Sequence, residues 1–143
     1  VVAMFNSVRV LLIAVSVVTV TGCAQGKKTV PVSGVIMLDG KPLAEAHVTF
    51  QPATEEKVPD AGSFAFTDAN GAYSLRTFEG EQPGVVAGKY RVAITMVTPS
   101  YDGDPAKRPP TKTLPAKYNN QTELRFDVPA GGTDKANFEL RSK

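Results

Sequence analysis

The chain has 143 residues, of which 42% are hydrophobic and 21% charged, enough for one globular domain and short of two. Sixteen Lys and Arg against fourteen Asp and Glu give a formal charge of +2, too mild to mark a nucleic-acid groove, so no nucleic-acid partner is expected. One His, one Cys and no Trp exclude His-pair and multi-Cys metal centres and any intrachain disulfide, and no metal or cofactor is expected; eleven Pro and twelve Gly argue against long helices beyond the N-terminal segment and for an all-β chain.

The first element is residues 10–20, VLLIAVSVVTV, which carry no charge, follow Arg9 and precede Thr21, Gly22 and Cys23. A basic residue, an apolar run of ~7–15 residues and small residues at a cleavage point are the parts of an export signal. The run has about half of the ~20 apolar residues needed to cross a bilayer as a helix. Residues 1–22 are therefore expected to be a removable signal peptide.

Val20, Thr21, Gly22 and Cys23 resemble the lipobox of bacterial lipoproteins, an aliphatic and two small residues before a cysteine. The resemblance implies that Cys23 becomes the new N-terminus, takes a diacylglycerol through a thioether and carries a further acyl chain, such as palmitate, on its amine. Several chains hold a protein to a membrane where one alone is marginal. The membrane is thus an expected partner through Cys23, and the cell envelope the expected location. Ala24 stands where an inner-membrane retention Asp would be, which in a two-membrane cell favours the outer membrane. Residues 23–29 are expected to be a short polar tether, read first as a solvated linker and alternatively as one whose Lys27 and Lys28 touch lipid headgroups.

Residues 30–141 read as a domain of seven alternating runs. The first places Val30, Val32, Ile36 and Leu38 on one parity, with Gly34 as a bulge or close-approach position. After Asp39, Gly40, Lys41 and Pro42 come Ala46, Val48 and Phe50, opposed by His47, Thr49 and Gln51. Beyond a loop over residues 52–62, Phe64 and Phe66 alternate with small residues. Asp68, Ala69, Asn70 and Gly71 then offer a tight reversal that predicts a hairpin with the fourth run, Tyr73, Leu75 and Thr77. The fifth sets Tyr90, Val92, Ile94 and Met96 inward, the sixth Leu124, Phe126 and Val128, and the seventh Ala136, Phe138 and Leu140, following Gly131 and Gly132. Seven short, half-apolar strands predict two antiparallel sheets packed as a seven-stranded β-sandwich, of transthyretin-like or immunoglobulin-like type.

Val32 to Gly34, Leu38 to Leu43, Val48 to Phe50, Thr67 to Leu75, Gly88 to Val92 and Leu114 to Tyr118, taken in that order, resemble the carboxypeptidase regulatory-like domains of bacterial envelope lipoproteins. The similarity covers nearly all of residues 30–140. It implies a transthyretin-like sandwich acting as a non-catalytic binding or structural module, often with no known ligand; exposure at the envelope makes an envelope protein or glycan the expected partner. The alternatives are a carbohydrate-binding or metal-dependent accessory domain, or a small hydrolase.

The residues offer little for catalysis. Asp68, Asn70 and Asp60 lack the spaced carboxylates of a Ca²⁺ loop, and the same segment supplies turn chemistry. His47 is the only imidazole and faces away from the core. Ser33, Ser63, Ser74 and Ser100 are available, but no G-x-S-x-G elbow supports one as a nucleophile. The candidate binding loop is residues 98–113, with four prolines and with Tyr101, Asp102, Asp104, Lys107, Arg108 and Lys112 as its contact residues. Prolines lower the entropy lost when such a segment is ordered by a partner. Residues 52–62 are, by length and polarity alone, a candidate to join it in one contact surface.

Overall fold

The computed structural model describes residues 28–53, 62–98, 100, 102–108 and 111–143. The signal segment, Val20, Thr21, Gly22, Cys23, Lys27, Asp60 and Tyr101 lie outside the described residues. The described chain is all-β, with two single-turn 3-10 segments, Pro105–Lys107 and Ala116–Tyr118. No helix among the described residues is long and apolar enough to cross a membrane.

The described residues hold eleven strand segments, β1 Thr29–Val30, β2 Ser33–Leu38, β3 Lys41–Pro42, β4 Ala46–Pro52, β5 Ser63–Phe66, β6 Ala72–Ser74, β7 Arg76–Thr77, β8 Val85–Val86, β9 Gly88–Met96, β10 Arg125–Val128 and β11 Phe138–Leu140, of which β3 falls on residues read as turn and β8 outside the seven runs. One sheet has the order β10-β9-β4-β5-β7; a second has β11-β2-β3, with β6 also on β2; β1 and β8 form a two-stranded ladder. Neither large sheet closes on itself. Their inward side chains share one core. Ala46, Val48, Phe50, Tyr90, Val92 and Ile94 come from the first sheet, and Ile36, Tyr73, Leu75, Ala136, Phe138 and Leu140 from the second and its flanks. Phe50 is the hinge of this packing, its ring 5.9 Å from Tyr90, 5.8 Å from Phe126 and 6.3 Å from Phe138.

The turn residues do what their chemistry predicts. Asp39 and Gly40, both at positive φ (49° and 79°), form the two-residue connection between β2 and β3, which suits the twist of a hairpin. At Gly34 the reading as a close-approach position holds, since a Cβ there would lie 2.0 Å from the Ala136 carbonyl oxygen.

Two details depart from the sequence expectation, and a third decides a face that it left open. The pairing of β11 with β2 is parallel, not antiparallel. The chain leaves β10, crosses between sheets through Gly131 and Gly132, and runs beside β2 in the same direction. The predicted hairpin of the third and fourth runs is opened: Ser63 and Phe64 pair with Thr77 and Arg76, but Ala72, Tyr73 and Ser74 pair with β2 instead. One extended run therefore belongs to both sheets. Finally, Phe64 and Phe66 point outward, while Ser63 and Ala65 are the buried pair. The bulk of Phe50 and Tyr90 fills the interior next to β5, leaving room only for small side chains.

Candidate binding surface

The antiparallel ladder of β4 and β9 sets where the loops emerge. Ala46 lies opposite Met96 at one end and Pro52 opposite Tyr90 at the other, about 20 Å apart at ~3.4 Å per residue. Pro52 and Ala53 leave one end and Val97 and Thr98 the other, while residues 54–61, on which most of the expected joint surface falls, lie outside the described residues. Lys28 enters at the Pro52 end, because Thr29 pairs with Val86, two residues before β9 begins. The candidate loop thus departs from the end opposite the N-terminal tether.

Within that loop, Asp102, Asp104, Lys107, Arg108 and Lys112 are all exposed. Asp104 caps the 3-10 turn Pro105–Lys107, its Oδ1 accepting the Ala106 N–H at 3.0 Å. No ion pair joins these residues to one another; among the described residues the recorded pair is Arg141 with Glu139, at 3.6 Å. The described residues of the loop offer a capped 3-10 turn bearing separate, exposed charges. Its return limb is anchored: Leu114 and Tyr118 are buried, the Tyr118 hydroxyl accepts the Arg141 N–H at 2.9 Å, and Asn119 Nδ2 donates to the Leu114 carbonyl.

Asp68, Ser63 and His47, weighed above for metal binding or catalysis, have structural occupations. Asp68 Oδ1 accepts the N–H groups of Asn70 and Ala72 at 2.8 and 3.0 Å, the work of a turn. The Ser63 hydroxyl donates to the Gly84 carbonyl inside the fold. His47 faces out from β4, and its ring stacks on Phe66 at 4.8 Å, with Phe64 edge-on at 6.0 Å. Removal from water under these rings lowers its pKa from the ordinary 6.5.

An aromatic patch that sequence reasoning missed lies on this outer face. Phe64 stacks against Phe78 at 5.0 Å and meets Phe66 edge-on at 5.9 Å. Phe66 is 56% and Phe78 45% exposed, and Val97, the next outward position after Thr95, is 42% exposed. Exposed rings in contact are the informative exception on a soluble surface. The only signal in the sequence was a pair of phenylalanines between small residues. Beside the patch, where β6 turns away from β5, opens a groove of about 950 Å³ lined by Phe64, Phe66, Ser74, Arg76 and Glu81 among others.

Comparison with known protein families, characterised proteins and solved structures gives no match.

Proposed function

We propose that this chain is a non-catalytic lipoprotein of the cell envelope, attached through acylated Cys23, whose transthyretin-like β-sandwich presents a binding loop to a protein or glycan. The observation that carries this reading is the polarity of the domain: the chain enters at Lys28 at the Pro52 end of the ladder, and Asp102, Asp104, Lys107, Arg108 and Lys112 lie on the loop that leaves from the other end. An anchored chain of this shape holds its charged loop away from the bilayer, where an envelope partner has access. The shared core of two sheets supports the sandwich. The order of turn and strand motifs supports the carboxypeptidase regulatory-like resemblance.

A carbohydrate-binding reading draws on one feature, the groove beside Phe64 and Phe66, where aromatic rings and the side chains of Ser74, Arg76 and Glu81 stand together. Photocrosslinking in intact envelopes separates the two. A crosslinker at Lys107 or Lys112 is expected to give a discrete protein adduct, and one at Ala130, at the tether end, is not. Equal labelling at both ends, or none from the loop, contradicts the loop as the contact site.

A further inference from the structure

The outer face of the β10-β9-β4-β5-β7 sheet is organised in rows that cross the strands. One row runs from Arg125 through Arg91 to Gln51, and continues through Gly62, next to Ser63, to Phe78, whose N–H donates to the Gly62 carbonyl. The next is Ala93, Thr49, Phe64 and Arg76, and the third is Thr95, His47 and Phe66. Every large hydrophobic side chain recorded as exposed among the described residues, Phe66, Phe78 and Val97, belongs to this face.

Charge on the face is divided between its margins. At the β10 margin Arg91 and Arg125 are direct cross-strand neighbours, an arrangement of like charges that is unfavourable unless an anion answers it. Neither makes an ion pair within the described chain. Arg91 donates to Gln51 Oε1, and Arg125 curls back onto the carbonyls of Thr122 and Leu124. Glu123 and Asp127 are the acids beside them, Asp127 standing opposite Lys89. At the β7 margin the turn after Phe78 carries exposed Glu79 and Glu81, with Arg76 as the adjacent cation. Glu81 lines the groove along with Phe64, Phe66 and Arg76.

We infer that this face is the contact surface between two copies of this chain, packed about a two-fold axis that lies between them and runs along the strands between β4 and β5. The operation preserves each row and exchanges its ends. Arg91 and Arg125 then lie over the second copy's Phe78 and its Glu79–Glu81 turn, where cation–π and charge contacts replace the like-charge pair. Phe64 lies over the second copy's Thr49, and Phe66 over its His47, covering the exposed rings. The same patch on both copies is its own complement, which is the requirement of an isologous dimer. The inference uses no property of Cys23, so it stands or falls apart from the proposed anchoring.

The test is sedimentation velocity of the full chain, held in detergent throughout so that lipid on Cys23 does not decide the outcome. The native chain is expected to sediment as a dimer that weakens with added salt. The pair Arg91→Glu and Arg125→Glu is expected to raise the dissociation constant by about tenfold or more. Adding Glu79→Lys and Glu81→Lys to that pair is expected to restore the dimer. Phe66→Ser with Phe78→Ser, whose side chains are exposed, is expected to give a monomer with unchanged far-ultraviolet circular dichroism. A native chain that is monomeric at every concentration overturns the inference, as does a dimer indifferent to the phenylalanine pair or a charge exchange that fails to restore it. If that monomer instead binds phosphatidylglycerol vesicles or a soluble envelope oligosaccharide, and Phe66→Ser abolishes the binding, the face belongs to that occupant.

Discussion

Gly34 stands where β2 passes the backbone of Ala136, and a methyl group there would meet the Ala136 carbonyl oxygen at 2.0 Å and its carbon at 2.4 Å. Both are backbone atoms, so β2 and the chain before β11 must separate. Gly34→Ala is expected to cost about 1–3 kcal/mol, read as a lower urea midpoint with unchanged slope; an unshifted midpoint contradicts the close approach. The same carbonyl accepts the Tyr73 hydroxyl at 2.6 Å. At His47, the unfolded chain takes up a proton near 6.5 and the folded chain resists it. Stability is therefore complete above pH 6.5 and falls as pH drops below that value. His47→Gln is expected to flatten the dependence of the urea midpoint between about pH 7 and pH 5; an unchanged slope would assign it to other groups. Asp39 acts in a separate, more acid window. Hydrogen bonds from the side chain and backbone of Ser142 hold its carboxyl below 3.8, so its contribution is present above 3.8 and is lost as pH falls further. At this scale the close-approach role of Gly34 was legible in the sequence. The orientation of Phe64 and Phe66 was not, because alternation identifies two faces and the space left beside Phe50 and Tyr90 decides which one is inside.

Strand faces were the most legible elements. β4 and β9 each bury one parity, as Ala46, Val48 and Phe50 and as Tyr90, Val92 and Ile94, because long alternating runs leave a single way to place their apolar sets. Pairing was less legible. Nothing in the alternation of Ala136, Phe138 and Leu140 gives strand direction, and the parallel placement of β11 follows from the end of the molecule at which β10 finishes. Once there, β11 is clasped by hydrogen bonds from the Asp39 N–H to the Leu140 carbonyl and from the Ser142 N–H to Asp39 Oδ1. Leu140 is fully buried in the shared core. Leu140→Ala is expected to remove about 2–5 kcal/mol of stability by equilibrium unfolding, whereas Glu139→Ala on the exposed side of the same strand should shift it by no more than ~0.5 kcal/mol. Equal effects would place β11 outside the core.

For the whole molecule, the positions of the loops follow from one antiparallel ladder, which sends residues after Pro52 and after Met96 to opposite ends. The expectation of a joint surface with residues 52–62 falls mostly outside the described residues. The all-β class was legible from composition and turn residues alone. The function proposed here depends on the N-terminal segment, where a basic residue, an apolar run and a small-residue cysteine motif imply export and acylation. The most direct test is the intact mass of the N-terminal peptide of the chain recovered from cell membranes. The predicted result is a peptide beginning at Cys23 and carrying a diacylglycerol thioether with an acylated amine. A chain in which Cys23 is unmodified and still preceded by Gly22 would contradict it.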